Sequence, residues 1–119
     1  TKYSAWMTSF SIDPEAFSCS GEEFANQVLE AGLTGAGQGK YYLMPAAMTF
    51  LQEYVDAGKY PFSQPPASRT YHYSSDTCPT AWAFLENWVR SCSISEKWED
   101  EHADMIVDIV AQVADANRS

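Results

Sequence analysis

A chain of 119 residues with 45% hydrophobic and 14% aromatic side chains reads as one folded domain, not a disordered segment, and is small for an enzyme that must close around a cofactor. Its 16 acidic and 7 basic residues give a formal net charge of -9, which argues against unaided binding to nucleic acid or to an anionic membrane surface. No apolar run reaches membrane-spanning length, and Cys19, Cys78 and Cys92 can neither all pair within one chain nor match zinc-ligand spacing, so they read as reduced thiols of a cytoplasmic protein.

The first predicted element is a strand over Lys2 to Ile12, where Ser4, Trp6, Thr8 and Phe10 alternate with Tyr3, Ala5, Met7 and Ser9; Asp13 and Pro14 end it. Both faces carry apolar side chains, so the strand needs neighbours, and a preceding segment is expected. Ser20 and Glu23 form a capping box that opens a helix with Phe24, Val28 and Ala31 on its buried face, and Gly32 stops it in a left-handed turn. Leu33 to Ala36 is a second short strand. Gly35, Gly37 and Gly39 match neither the Walker pattern nor a dinucleotide fingerprint, so they read as a flexible connection. The run Tyr41 to Met44 leads into Pro45 and an amphipathic helix through Met48, Leu51, Tyr54 and Val55, ending at Gly58.

Lys59 to Asp76 contains Pro61, Pro65 and Pro66 and keeps no period, so it reads as a loop that is functional or ordered by a partner. Tyr60, Phe62, Tyr71 and Tyr73 are too many aromatics for a merely solvated linker. Arg69 and His72 are its polar groups suited to ligand chemistry, with loop anchor or plain surface residue as the competing reading. Pro79 opens a helix with Ala81, Phe84, Leu85 and Trp88 on one face, and Cys92 to Ile94 is the third short strand. The last helix carries Glu99, Asp100, Glu101 and Asp104 at its start, Arg118 near its end, and an apolar stripe of Ala103, Ile106, Val107, Val110, Val113 and Ala114.

Taken by themselves, the residues specify an α+β domain and no catalytic set. His72 and His102 are the histidines, neither stands in a Ser-His-Asp frame, and no His, Cys and Asp cluster has metal spacing. Glu22 with Glu23, and Glu99 to Glu101, lie at helix starts, where the helix dipole accounts for them.

The succession of segments resembles the C-terminal small domain of the DegT-type aminotransferases, pyridoxal-phosphate enzymes of amino-sugar and aminocyclitol biosynthesis. The residues that carry the resemblance are the opening strand with Trp6, the turn Ile12 to Phe17, the capped helix Ser20 to Leu33, the run Tyr41 to Pro45 with its aromatic helix, and Tyr60 to Phe62. Cys78 to Ala81, the strand Cys92 to Ile94 and the acidic terminal helix with Asp104 to Val110 complete it. It spans almost the whole chain in order.

The fold this implies is a single domain, residues 1–119, with a small, mainly antiparallel three-stranded sheet and about four amphipathic helices packed on one face, as in the small domain of fold-type I aminotransferases. The other sheet face is left to a missing large domain of the same enzyme or to a second copy, so a homodimer is expected. In that family the cofactor is held by a lysine Schiff base on the large domain, and Lys2, Lys40, Lys59 and Lys97 stand in no such context. The isolated chain is therefore expected to bind no pyridoxal phosphate and to catalyse nothing alone. Its role is to cover the active site of the parent enzyme and help select a keto sugar nucleotide or keto-cyclitol. Lys40, Tyr41 and Tyr42 match the family's variable substrate-facing loop, and Arg69 and His72 precede the Cys78 to Ala81 motif; cations with aromatic neighbours suit a sugar nucleotide or polyol. The Tyr41 loop departs from the family pattern in being glycine-rich and lacking a histidine. The same aromatics equally suit a dimer contact.

A second class of function fits the composition. A small acidic chain with an aromatic loop is also what an immunity or antitoxin protein looks like, blocking a basic partner by charge complementarity.

Overall fold

The computed structural model describes residues 7–91, 95 and 97–119. The chain order is β1 (Thr8–Ser11), α1 (Gly21–Glu30), β2 (Ala36–Gln38), α2 (Met44–Ala47), α3 (Thr49–Asp56), α4 (Pro79–Glu86), β3 (Trp88–Ser91) and α5 (Asp100–Ala116). Contacts divide it into two compact units, one formed by the described residues up to Gly39 and from Phe84 onward, the other by Lys40–Ala83.

The first unit is built on a three-stranded antiparallel sheet in the order β1-β3-β2. Thr8 pairs with Ser91 and Phe10 with Val89, while Ala36 also pairs with Ser91. Side chains alternate along a strand, so Thr8, Phe10, Ala36, Val89 and Ser91 share one face, and Ser9, Ser11, Gly37, Trp88 and Arg90 share the other. The first of these faces is the core side. α1 lies against β2 and β3 there and α5 lies against α1. Phe24, Val28 and Val89 are fully buried at the centre, with Ile12, Ala25, Leu33, Ile109 and Val113 around them.

Local chemistry sets both ends of α1. The Ser20 amide donates to Glu23 Oε2 at 2.9 Å and the Glu23 amide donates to Ser20 Oγ at 3.2 Å, closing the capping box. At the other end Gly32 has φ 115°, and the Gly32 and Leu33 amides donate to the carbonyls of Leu29 and Val28, each at 3.1 Å. That bond pair is a Schellman motif, and Leu33 and Val28 join in the core as its apolar contact. Ser20→Ala removes the acceptor for the Glu23 amide, and a loss of about 1 kcal/mol in urea unfolding is expected.

The cap also predicts a pH dependence. The amide and hydroxyl of Ser20 hold the Glu23 carboxyl below its ordinary range. A carboxyl depressed in the folded chain adds stability that is present above its unfolded value and lost as pH falls through the folded one. Glu23→Gln is expected to flatten the acid limb of the stability curve by lowering stability near neutrality, where the carboxylate's bonds to Ser20 are lost, and to match the parent chain at low pH.

α5 is fastened at its C-terminal end. Asn117 Nδ2 donates to Gln27 Oε1 at 2.6 Å and to the Val113 carbonyl at 2.8 Å, and Gln27 Nε2 donates back to Asn117 Oδ1 at 3.3 Å. This amide pair joins α1 to α5 while satisfying a buried polar side chain. The Ser18 amide donates to the Asn117 carbonyl at 2.8 Å. At the N-terminal end His102 Nδ1 accepts from the Glu99 amide at 3.0 Å and its ring stacks on Trp98.

The second unit packs a loop onto a helix pair. Gly58, at φ 64°, ends α3 with a second Schellman pair, Gly58 amide to Val55 carbonyl and Lys59 amide to Tyr54 carbonyl. Residues 59–76 then run without strand, fixed by Gln52 Oε1, which accepts from the Tyr73 amide at 2.8 Å, and by Ser63 Oγ on the Val55 carbonyl at 3.2 Å. An edge-to-face series of rings, Phe50–Tyr54–Phe62–Tyr73, continues into Tyr71 stacked on Tyr73. The loop is therefore ordered by its own aromatics and by α3.

The α+β class and the small antiparallel sheet agree with the sequence reading; its details differ in three places, and two expected stretches lie outside the described residues. Trp88 is not helical: α4 stops at Glu86, the Asn87 amide turns back to the Phe84 carbonyl at 3.2 Å, and Trp88 opens the central strand. The strand expected at Leu33 to Ala36 runs instead over Ala36–Gln38, and the glycine-rich connection is thus largely sheet. The buried line of α5 contains Ile109, while Val107 is 65% exposed. The strand expected at Cys92 to Ile94 lies outside the described residues, as does the opening part of the one expected at Lys2 to Ile12.

Candidate functional site

The residues singled out in the sequence fall in the second unit, in two sets. Lys40, Tyr41 and Tyr42 make one 3₁₀ turn. Lys40 Nζ lies 5.3 Å from the centre of the Trp82 ring, and the exposed Tyr41 and Tyr42 rings are 4.1 Å apart. Arg69 and His72 belong to the long loop. The Arg69 guanidinium lies 5.0 Å over the Tyr71 ring, and the exposed His72 contributes its carbonyl to Thr77 Oγ1 at 3.1 Å. Two cation–π pairs, with Lys59 Nζ over Tyr54 at 4.2 Å as a third, give this unit a surface of aromatic faces topped by positive charge.

Nucleophilic and metal chemistry find little support among the described residues. No three His, Cys, Asp or Glu side chains there are placed to hold a metal ion. The Cys19 thiol is pushed above its ordinary range, first by burial and second by the negative charge of Glu23, which keeps it protonated and weakly nucleophilic. No helix of the described residues is long and apolar enough to cross a membrane.

The feature that sequence reasoning missed lies in the first unit. An open, almost wholly apolar groove of about 440 Å³ runs between α5 and the core-side face of β1 and β3. Thr8 and Phe10 floor it from β1, Val89 and Ser91 from β3, and Val107, Val110, Ala111 and Ala114 wall it from α5. α1 covers β2 and β3 and α5 leans on α1, so this strip beside the β1 edge is left uncovered by the described residues. The signal was present in α5. Its apolar positions run from Ile109 and Val113 round through Ile106 and Val110 to Val107, Ala111 and Ala114, an arc wider than one packed face requires. No protein-family model, no curated protein and no solved structure matches this chain.

Proposed function

We propose that this chain is a domain that works docked against a further protein segment, as the C-terminal small domain of a DegT-type pyridoxal-phosphate-dependent aminotransferase acting on a keto sugar nucleotide or keto-cyclitol. The observation that carries the reading is the apolar groove beside the edge strand β1, a strip of the packed sheet face that the described residues leave open. The ordered succession of motifs and the small antiparallel sheet with α1 and α5 on one face accord with it.

In this reading Lys40, Tyr41, Tyr42, Arg69 and His72 supply the aromatic and cationic surface that meets the substrate, in a cytoplasmic enzyme. In this reading the cofactor is held by the large domain of the parent enzyme. Among the described residues, the ammonium groups of Lys40 and Lys59 lie over the rings of Trp82 and Tyr54.

Two measurements test the reading. The isolated chain mixed with pyridoxal phosphate is expected to show no stable aldimine absorbance. The polypeptide encoded by the full reading frame is expected to show one and to transaminate a keto sugar nucleotide. A frame that begins at Thr1, or a full-length product without the band, would overturn the assignment.

A second reading, an acidic binding module of the immunity or antitoxin kind, is favoured by the aspartates of α5. Asp104, Asp108 and Asp115 are exposed along the flank next to the groove. A frame that begins at Thr1 would turn the account to this one.

A further inference from the structure

We infer that the groove seats an amphipathic α-helix whose apolar stripe is flanked by lysine or arginine. The inference rests on the reading of this chain as a docking domain and names the chemistry of the segment that docks.

Shape points to a helix. The strip lies on the same side of the sheet as α1 and beside α5, so an element laid over Thr8 and Phe10 completes the helix layer of that face. A space of about 440 Å³ takes the ridge of a few large apolar side chains, not a whole helix, which is how helices pack into grooves. A free small apolar ligand fits less well. Pockets for such ligands hold a few placed polar groups that orient the guest, whereas among the described lining residues Thr8, Ser91 and Arg90 present almost no polar surface to the groove. Val107 is also exposed at the rim, where a broad partner reaches it and an enclosed guest does not.

Charge sets the flank. Val107, Ala111 and Ala114 follow one another at helical spacing, and Asp104, Asp108 and Asp115 run alongside them on the solvent side. Asp115 meets Arg118 at 3.1 Å, and α5 itself holds no lysine or arginine. A helix docked in the groove thus lies beside a row of carboxylates, which repels an acidic flank and attracts a basic one. The same row argues against a second copy of this chain in the groove. A two-fold contact there sets α5 against α5, both acidic, in a molecule of net charge -9.

The test uses three synthetic peptides of about 18 residues, enough for five helical turns. One carries a leucine stripe flanked by arginine, one the same stripe flanked by glutamate, and one the arginine peptide's composition scrambled to break the stripe. Each is titrated against the chain while the methyl signals of Val107, Val110, Ala111 and Val28 are followed by NMR. The arginine-flanked peptide is expected to bind about tenfold or more tighter than the glutamate-flanked one, with the gap narrowing as salt screens the carboxylates. Shifts are expected at Val107, Val110 and Ala111 and not at the core methyl of Val28. Val107→Glu, at an exposed position, is expected to keep the fold and weaken binding about tenfold. Equal binding of the two striped peptides, binding of the scrambled peptide as tight as that of its parent, no binding, or shifts away from α5 would each overturn the proposal. Peptide binding together with a reading frame that lacks a cofactor domain would keep the groove assignment and discard the aminotransferase one.

Discussion

Phe24→Ala is expected to lower the unfolding free energy by about 3–5 kcal/mol, the range for removing a buried aromatic ring from a core that cannot close over the gap. Phe24 is 1% exposed and is the largest of the fully buried side chains. Its ring meets Phe10 of β1 edge-on at 6.1 Å and Phe17 at 5.4 Å, so one side chain links α1, the edge strand and the turn before the helix. Deleting it leaves both neighbours without their packing partner and loosens the segment that fastens the end of α5, where the Ser18 amide holds the Asn117 carbonyl. Urea unfolding followed by tryptophan fluorescence measures the loss. A cost below about 1 kcal/mol, the size of a surface change, would mean that the core lies elsewhere.

Gly21→Ala is expected to reverse the usual sign of a helix substitution. In an exposed helix interior, replacing glycine by alanine gains about 1 kcal/mol. At Gly21, the first residue of α1, a Cβ would collide with the Glu86 carbonyl oxygen and stand 2.9 Å from Asn87 Cα. Both neighbours are backbone, so neither swings aside as a flexible side chain does. The junction is also fixed from two directions. The Ile12 amide donates to the Asn87 carbonyl at 3.0 Å, and Gln38 Nε2 donates to the Glu86 carbonyl at 2.6 Å. Moving it to admit a methyl group disturbs the start of β3, and a loss of about 1–3 kcal/mol is expected. A thermal midpoint above that of the parent chain would contradict this close approach.

These two sites show what the sequence could and could not disclose. The cap at Ser20 and Glu23 and the stop at Gly32 are local chemistry, and both stand where the spacing puts them. The need for glycine at position 21 is a contact between segments far apart in the chain, and no local pattern encodes it. Trp88 follows Ala81, Phe84 and Leu85 at helical spacing, yet it also opens the alternating run Trp88–Ser91. Two periods overlap at one residue, and pairing with both β1 and β2 decides for the strand. The glycines after Leu33 carry no apolar alternation, so the β2 edge is defined by its hydrogen bonds to β3 and by the packing of Ala36 in the core.

The candidate site divides in the same way. Lys40, Tyr41, Tyr42, Arg69 and His72 stand out in the sequence as charge among aromatics, and the structure sets Lys40 over Trp82 and Arg69 over Tyr71. Phe62, Tyr71 and Tyr73 are engaged with one another and with Tyr54 inside their own unit, a packing role that composition does not distinguish from ligand binding. The groove depends on which side of α5 meets the sheet. A helix with apolar residues over so wide an arc leaves that orientation open until its partners are known.

Solvent exposure of individual methyl groups tests the docking account most directly. With a soluble nitroxide added to the isolated chain, the methyl signals of Val107, Ala111 and Ala114 are expected to broaden strongly, while those of Ala25, Val28 and Val113 stay sharp. The same groove methyls are expected to become protected when the arginine-flanked helical peptide is added. Groove methyls already as sheltered in the isolated chain as those of Ala25 and Val28 would mean that the sheet face is complete without a neighbour, and would contradict the account.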